Sequence, residues 1–166
     1  MNALRTYTIH TDGACSGNGG PFAKAGWGAI LRNPQGDVLE LAGPVPQAEQ
    51  QTNSRGELLA VVRACQAIKQ PAVLNVFTDS EYIAKGFCQW LDGWIAKGWK
   101  TSSRKAVAHA DLWQELDRLR QLHELSISWV RGHARNADNE AADALARGGC
   151  EGRSIRRKTS AAAVSA

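Results

Sequence analysis

Residues 7–20, Tyr-Thr-Ile-His-Thr-Asp-Gly-Ala-Cys-Ser-Gly-Asn-Gly-Gly, constrain the fold of this chain more than any other stretch. Thr6, Tyr7, Thr8, Ile9 and Thr11 are β-branched or aromatic, the side chains that suit a pleated surface. The segment reads as a strand that runs into a glycine-rich turn. Asp12 stands where the strand stops, and Gly13 then frees the backbone. An Asp before a Gly is a common turn residue. A carboxylate held at the end of a rigid strand is also a good place to fix a metal ion. Taken alone the residue is compatible with both roles. Three later carboxylates, Glu57, Asp79 and Asp143, are expected to be brought to it.

Two more strands follow at short intervals. Ala25 to Arg32 reads as one, Asn33-Pro34-Gln35-Gly36 as a turn, and Asp37 to Gly43 as the next. Links this short imply an antiparallel meander. A helix is expected from about Ser54 to Lys69. Ser54-Arg55-Gly56-Glu57 has capping-box spacing, which would make Glu57 a helix-start residue. Val61, Ala64 and Ile68 share the Glu57 face of that helix, however, and a Glu on an apolar line is usually paired or metal-bound. Pro71 breaks the chain, and Ala72 to Thr78 reads as an apolar strand. Strand, long helix and strand together imply a parallel crossover. Asp79 then falls at the carboxyl end of a parallel strand, where open α/β sheets place their sites. The competing role is a turn or cap residue, with Ser80 the N-cap of the next helix.

Ser80 to Phe87 and Cys88 to Ala96 read as short helices broken near Gly86, with Trp90 and Trp94 on one face. Lys97-Gly-Trp-Lys-Thr-Ser-Ser-Arg-Lys105 holds four cations, one tryptophan and no anion. Such a stretch suits nucleic acid, its cations meeting phosphates and its rings packing on sugars or bases. It is equally the composition of a solvated loop beside core tryptophans. Ala110 to Leu122 is a helix, Leu125 to Val130 a strand, 131–136 a loop containing His133, and Ala137 to Ala146 the last helix. Asp143 lies on that helix.

The net charge of +4 belongs to the end of the chain, where Arg147, Arg153, Arg156, Arg157 and Lys158 face Glu151 alone. The rest is balanced, so a high isoelectric point does not by itself mark nucleic-acid binding. Residues 148–166 read as a basic, disordered and removable tail to a single domain over 1–147. Cys15, Cys65, Cys88 and Cys150 form no C-x-x-C pair, which fits reduced thiols in a cytoplasmic protein. No apolar run approaches a membrane span, and the N-terminus has no signal-peptide core.

The turn Gly17-Asn18-Gly19-Gly20 lacks the Gly-Lys-Ser/Thr of a P-loop and the third Gly of a dinucleotide fingerprint. No nucleophile motif is present either, which leaves the acids. If Asp12, Glu57, Asp79 and Asp143 converge, two carboxylates ~4 Å apart repel by about 4 kcal/mol at an effective dielectric near 20. Hard divalent ions answer that repulsion; Mg²⁺ is expected, two ions per site, with Mn²⁺ a substitute. Two such ions are the standard arrangement for in-line attack on a phosphodiester. His133 on its loop could shuttle a proton.

Four separated motifs carry a resemblance. Residues 11–18 (Thr-Asp-Gly-Ala-Cys-Ser-Gly-Asn), 52–58 (Thr-Asn-Ser-Arg-Gly-Glu-Leu), 77–80 (Phe-Thr-Asp-Ser) and 130–143 (Val-Arg-Gly-His-Ala through Asn139-Glu140 to Asp143) closely resemble type 1 ribonuclease H, in the family's order and spacing. The resemblance implies a ribonuclease H-like α/β fold, a five-stranded mixed sheet flanked by helices. It implies cleavage of the RNA strand of RNA–DNA hybrids, leaving 5′-phosphate and 3′-hydroxyl ends. Asp12, Glu57, Asp79 and Asp143 match the metal-binding acids and His133 the loop histidine. Cys15, Asn18, Thr52 and Asn53 match positions lining the substrate groove and a pocket for a DNA phosphate. Trp90, Trp94, Lys97, Trp99 and Lys100 fall in the family's basic protrusion, which grips the DNA strand. A monomer without a separate hybrid-binding domain is expected. Gly19, Ser54 and Glu81 depart from the family's frequent Pro, Asn and Gln. The alternatives are another nuclease of the same superfold, of junction-resolvase or integrase type, and a non-catalytic hybrid-binding module. Intact acids argue against the module, and the Gly132-His133 loop and the tryptophan-lysine stretch argue against the other nucleases.

Overall fold

The computed structural model describes residues 3–132 and 136–161. Its frame is a six-stranded mixed sheet in the order β5-β4-β1-β2-β3-β6. The strands are β1 (Arg5–Ser16), β2 (Lys24–Arg32), β3 (Val38–Pro44), β4 (Ala72–Thr78), β5 (Glu124–Trp129) and β6 (Ile155–Thr159). β1, β2 and β3 form the expected antiparallel meander, and β4 and β5 run parallel to β1. The helices are α1 (Asn53–Ala67), α2 (Glu81–Lys85), α3 (Leu91–Ala96), α4 (Ala110–Leu122) and α5 (Ala137–Cys150). A single π-helical turn, Gly86–Trp90, joins α2 to α3. The broken helix pair expected there is therefore continuous, its wide turn located at Gly86. A Cβ on Gly86 would lie 2.3 Å from the ring of the fully buried Trp113, so the helix passes directly over that indole.

The main core lies between one face of the sheet and α1 and α4. Ile9, Leu31, Leu74 and Val76 from the strands meet Leu58, Val61, Val62 and Leu116 from the helices, all essentially without exposure. Alternation along β4 is regular, with every second residue buried, as one covered face dictates. The opposite face is covered by α5, whose Ala142 and Leu145 pack on Ile30 and Ala42 in a second, smaller cluster.

Three local expectations change. The cap of α1 is Thr52, whose hydroxyl accepts from the Arg55 N–H at 3.1 Å, and not Ser54. Ser54 lies inside the helix, so Glu57 takes no part in a capping box. The last helix runs on to Cys150. The segment expected to be disordered from Gly148 forms, over Ile155–Thr159, a sixth strand paired antiparallel with β3. Its sequence, Ile-Arg-Arg-Lys-Thr, has almost no apolar pattern. What makes it a strand is the unpaired edge of β3, which supplies backbone hydrogen-bond partners, together with Ile155 packing on the smaller cluster.

Candidate metal centre and substrate groove

β1 and β4 are adjacent and parallel, with Thr11 opposite Thr78 in the register. Asp12 and Asp79 are the next residues on, so both stand where the β1–β4 pairing ends; β1 itself does not stop at Asp12, as expected from the sequence, but continues to Ser16 paired with β2 alone. The third carboxylate arrives through a missing side chain. Gly13 faces α1 so closely that a Cβ there would lie 2.3 Å from the Glu57 nitrogen and 2.9 Å from its Cα. The helix backbone rests on the strand at that point, which brings Glu57 beside Asp12. One carboxylate oxygen from each of Asp12, Glu57 and Asp79 lies within 4.8 Å of the others.

A second glycine brings the fourth acid. Gly28 is the β2 partner of Asp12, and a Cβ on it would lie 2.5 Å from the Ala146 nitrogen. α5 therefore lies directly on β2, and Asp143 projects from it close enough for its charge to act on Asp12. Its carboxylate pairs with Arg147 one turn on, at 3.2 Å. Asp143 is not within the tight group of three.

The electrostatics fit a cation. Asp12 is buried, and burial is the first cause that pushes its carboxyl up to about 8; Asp79, Asp143 and Glu57 add repulsion, against one 2.8 Å hydrogen bond from the Gly13 N–H. Burial likewise pushes Glu57 up to about 7, with Asp79 adding to it and a Ser80 hydroxyl favouring the anion. Three hard oxygen donors in a partly dry site, each discouraging its neighbour's charge, are the donor set of a divalent cation. Ser80 serves twice, since its hydroxyl also accepts from the Ile83 N–H at 3.3 Å and caps α2. The sequence shows only the cap. Trp129 is a further neighbour that the sequence does not single out. Its indole N–H donates to the Asp79 carbonyl at 3.1 Å, and it remains exposed beside the acids. Gly132 also approaches the site, a Cβ there lying 3.0 Å from Asp79 Oδ2. His133 lies outside the described residues.

The groove positions also converge. The Asn18 side-chain oxygen accepts from the Asn53 N–H at 2.9 Å, and the Cys15 thiol donates to the Gln51 carbonyl at 3.3 Å. With Thr52 as the α1 cap, these contacts tie the glycine-rich turn after β1 to the N-terminus of α1. Backbone N–H groups at a helix start favour anions.

The protrusion assembles the remaining candidates. The Trp90 and Trp94 rings stand 5.9 Å apart, and Trp94 packs on Trp113 at 5.2 Å. Trp94 is thus partly core, while Trp90 is exposed. The Trp99 N–H donates to the Trp94 carbonyl at 2.7 Å, and Trp99 takes a left-handed backbone, φ 65°. That turn sets exposed Lys97 and Lys100 beside Trp90 and Trp94 around one shallow cavity of about 340 Å³.

Comparison with known proteins follows this geometry. A family model described as RNase H matches residues 5–151. A ribonuclease H of Cupriavidus necator H16 is 49% identical over 148 residues, 89% of this chain and 97% of that protein. The crystal structure of LC9-RNase H1, a type 1 RNase H with the type 2 active-site motif, superposes with a TM-score of 0.82 at 27% identity, covering 99% of this chain and 82% of that one. The solution structure of the PFV RNase H domain gives 0.73 at 25% identity, covering 90% and 96%.

Proposed function

The chain belongs to the ribonuclease H family, type 1, and we propose on that premise that it hydrolyses the RNA strand of RNA–DNA hybrids at the cluster of Asp12, Glu57 and Asp79. The observation that carries the proposal is the cluster itself, three carboxylates within 4.8 Å at the carboxyl end of adjacent parallel strands. Asp12, Glu57 and Asp79 would hold two divalent ions, Mg²⁺ or Mn²⁺ in its place, with Asp143 completing the set from α5. Bound there, two such ions supply an activated water and stabilisation of the leaving oxygen. The protein holds the acids on rigid elements, strand ends and helices whose close approach is enforced by glycine. It keeps Asp12 and Glu57 poised to bind a cation in exchange for a proton. His133 moves a proton near the leaving group or assists product departure. The products carry 5′-phosphate and 3′-hydroxyl ends.

The substrate is positioned by two further regions. Cys15, Asn18, Thr52 and Asn53 line the groove and receive a DNA phosphate at the start of α1. Trp90, Trp94, Lys97, Trp99 and Lys100 hold the DNA strand through phosphate contacts and ring packing. Discrimination rests on groove shape and RNA 2′-hydroxyls, with little base readout. The protein acts as a monomer in the cytoplasm; among the described residues no helix is long and apolar enough to cross a membrane.

The test is cleavage of matched RNA–DNA hybrid, double-stranded RNA and duplex DNA, each labelled on one strand, in Mg²⁺. Only the RNA of the hybrid should be cut, and chelation should stop the reaction. Cleavage of a DNA junction with no cleavage of hybrid would overturn the assignment.

A further inference from the structure

A second cavity, of about 470 Å³, opens at the other end of the sheet from the acids. It is built around the N-terminal half of β1, the start of β4, the C-terminal end of α1 and the sixth strand. Arg5 begins β1 and Asp12 lies seven residues on, so roughly 23 Å of strand separates the two sites at ~3.3 Å per residue.

The register decides which side chains enter this cavity. Arg156 pairs with Leu41 and Lys158 with Leu39, so both basic residues share the α1 face of the sheet. Arg157, between them, turns to the opposite face and pairs with Glu40. Arg5 and Lys69 close the rim from β1 and from the end of α1. Among the described residues, none of these four cations forms a salt bridge. The single acid of the lining, Asp37, is already bonded by the Asn33 side-chain amide and the Ala161 N–H, both at 3.0 Å. Between the cations the floor is Tyr7 and Leu39, half-buried and packed on the core. Asp37 keeps its negative charge and draws on Lys158, so four cations face one carboxylate, and an excess of positive charge around an aromatic and aliphatic floor makes a site for a ligand with both an anionic and a flat apolar part. The volume lies within the ~300–1,000 Å³ typical of small-molecule pockets.

We propose that this cavity binds a nucleoside phosphate, its phosphates on Arg156, Lys158, Arg5 and Lys69 and its base against Tyr7 and Leu39. The site is independent of hybrid cleavage. It exists only because the basic C-terminal segment joins the sheet.

Calorimetric titration of the full-length protein with ATP, adenosine and inorganic triphosphate, in EDTA at low salt, tests this. Chelation removes any divalent ion that could hold the phosphates of ATP at the acid cluster. ATP should bind at least tenfold more tightly than either adenosine or triphosphate. R156A/K158A should weaken ATP binding by tenfold or more with hybrid cleavage unchanged. K69Q, which does not touch β6, should weaken it severalfold and guards against misreading a loss of the strand. K97A/K100A should leave ATP binding unaltered. Triphosphate binding as tightly as ATP would overturn the nucleoside assignment. No measurable ATP binding, or loss of binding in K97A/K100A alone, would overturn the site.

Discussion

At Asp12, burial and neighbouring carboxylates act in the same direction, and the consequence is a pH dependence opposite to that of an ordinary carboxylate. Its folded-state pKa of about 8 and that of Glu57, about 7, lie above the unfolded values near 4. The folded protein therefore holds protons that the unfolded chain releases. The resulting stabilisation is complete below about pH 4 and is lost as pH rises through about 7 to 8. In EDTA the melting temperature should fall between pH 6 and pH 9, and a divalent ion should restore it. Asp12→Asn keeps the hydrogen bond from Gly13 and removes the charge. At pH 9 without metal it should melt about 5 °C higher, on the order of 2 kcal/mol for a domain this size, and hybrid cleavage should be abolished. Scanning calorimetry of both proteins decides the matter; an unchanged or lower melting temperature would contradict the electrostatic account.

A single side chain can also decide how two elements approach. Gly13→Ala places a Cβ 2.3 Å from the Glu57 nitrogen, and backbone on both sides leaves no flexible atom to yield. The variant should lose at least ~2 kcal/mol of stability, as overpacked sites do, and most of its activity, because Glu57 is pushed away from Asp12. Denaturant melts together with initial rates check this. A variant of normal stability and normal rate would mean that the helix can move without cost.

The helical protrusion and the sixth strand are tested as elements. In the protrusion, K97A/K100A should raise KM more than it lowers kcat, since these lysines bind without touching the reacting bond. Each phosphate contact removed should flatten the salt dependence of hybrid binding by roughly 0.7–0.9 in log–log slope. An unaltered slope would show that this loop meets no phosphate. Glu81, at the start of α2 where the family frequently has Gln, is paired with Lys85 at 3.3 Å, which partly offsets the charge it adds there. At the sheet edge, truncation after Gly152 removes β6, bares the edge of β3 and exposes the cluster around Ile30 and Ala42. The melting temperature should drop by about 5 °C, from ~2 kcal/mol of lost apolar burial, with cleavage of hybrid retained. A melting temperature equal to that of the full chain would indicate that the segment contributes nothing to the fold.

Across the whole molecule, charge and function are divided between the two ends of the sheet. Acids gather where the pairing of β1 with β4 ends, and the cations of the last strand gather where β1 begins. Much of this was legible in the sequence. A short apolar run after Pro71 marked β4, the 3.6-residue period marked α1 and α4, and four motifs in the right order marked the acids. Local patterning can carry that information because each element's buried face follows its own periodicity. The capping residue of α1 was not legible, since Thr52 and Ser54 have the same chemistry and only the backbone conformation distinguishes them. Neither was the sixth strand, because Ile-Arg-Arg-Lys-Thr owes its conformation to hydrogen bonds from an edge more than a hundred residues earlier in the chain. The sequence by itself determined which acids exist and which elements carry them. Their meeting within 4.8 Å, and the basic cavity at the opposite end, were decided only by tertiary structure. Close packing through Gly13 and Gly28 and the pairing of β3 with β6 are contacts between distant residues, and no local pattern encodes them.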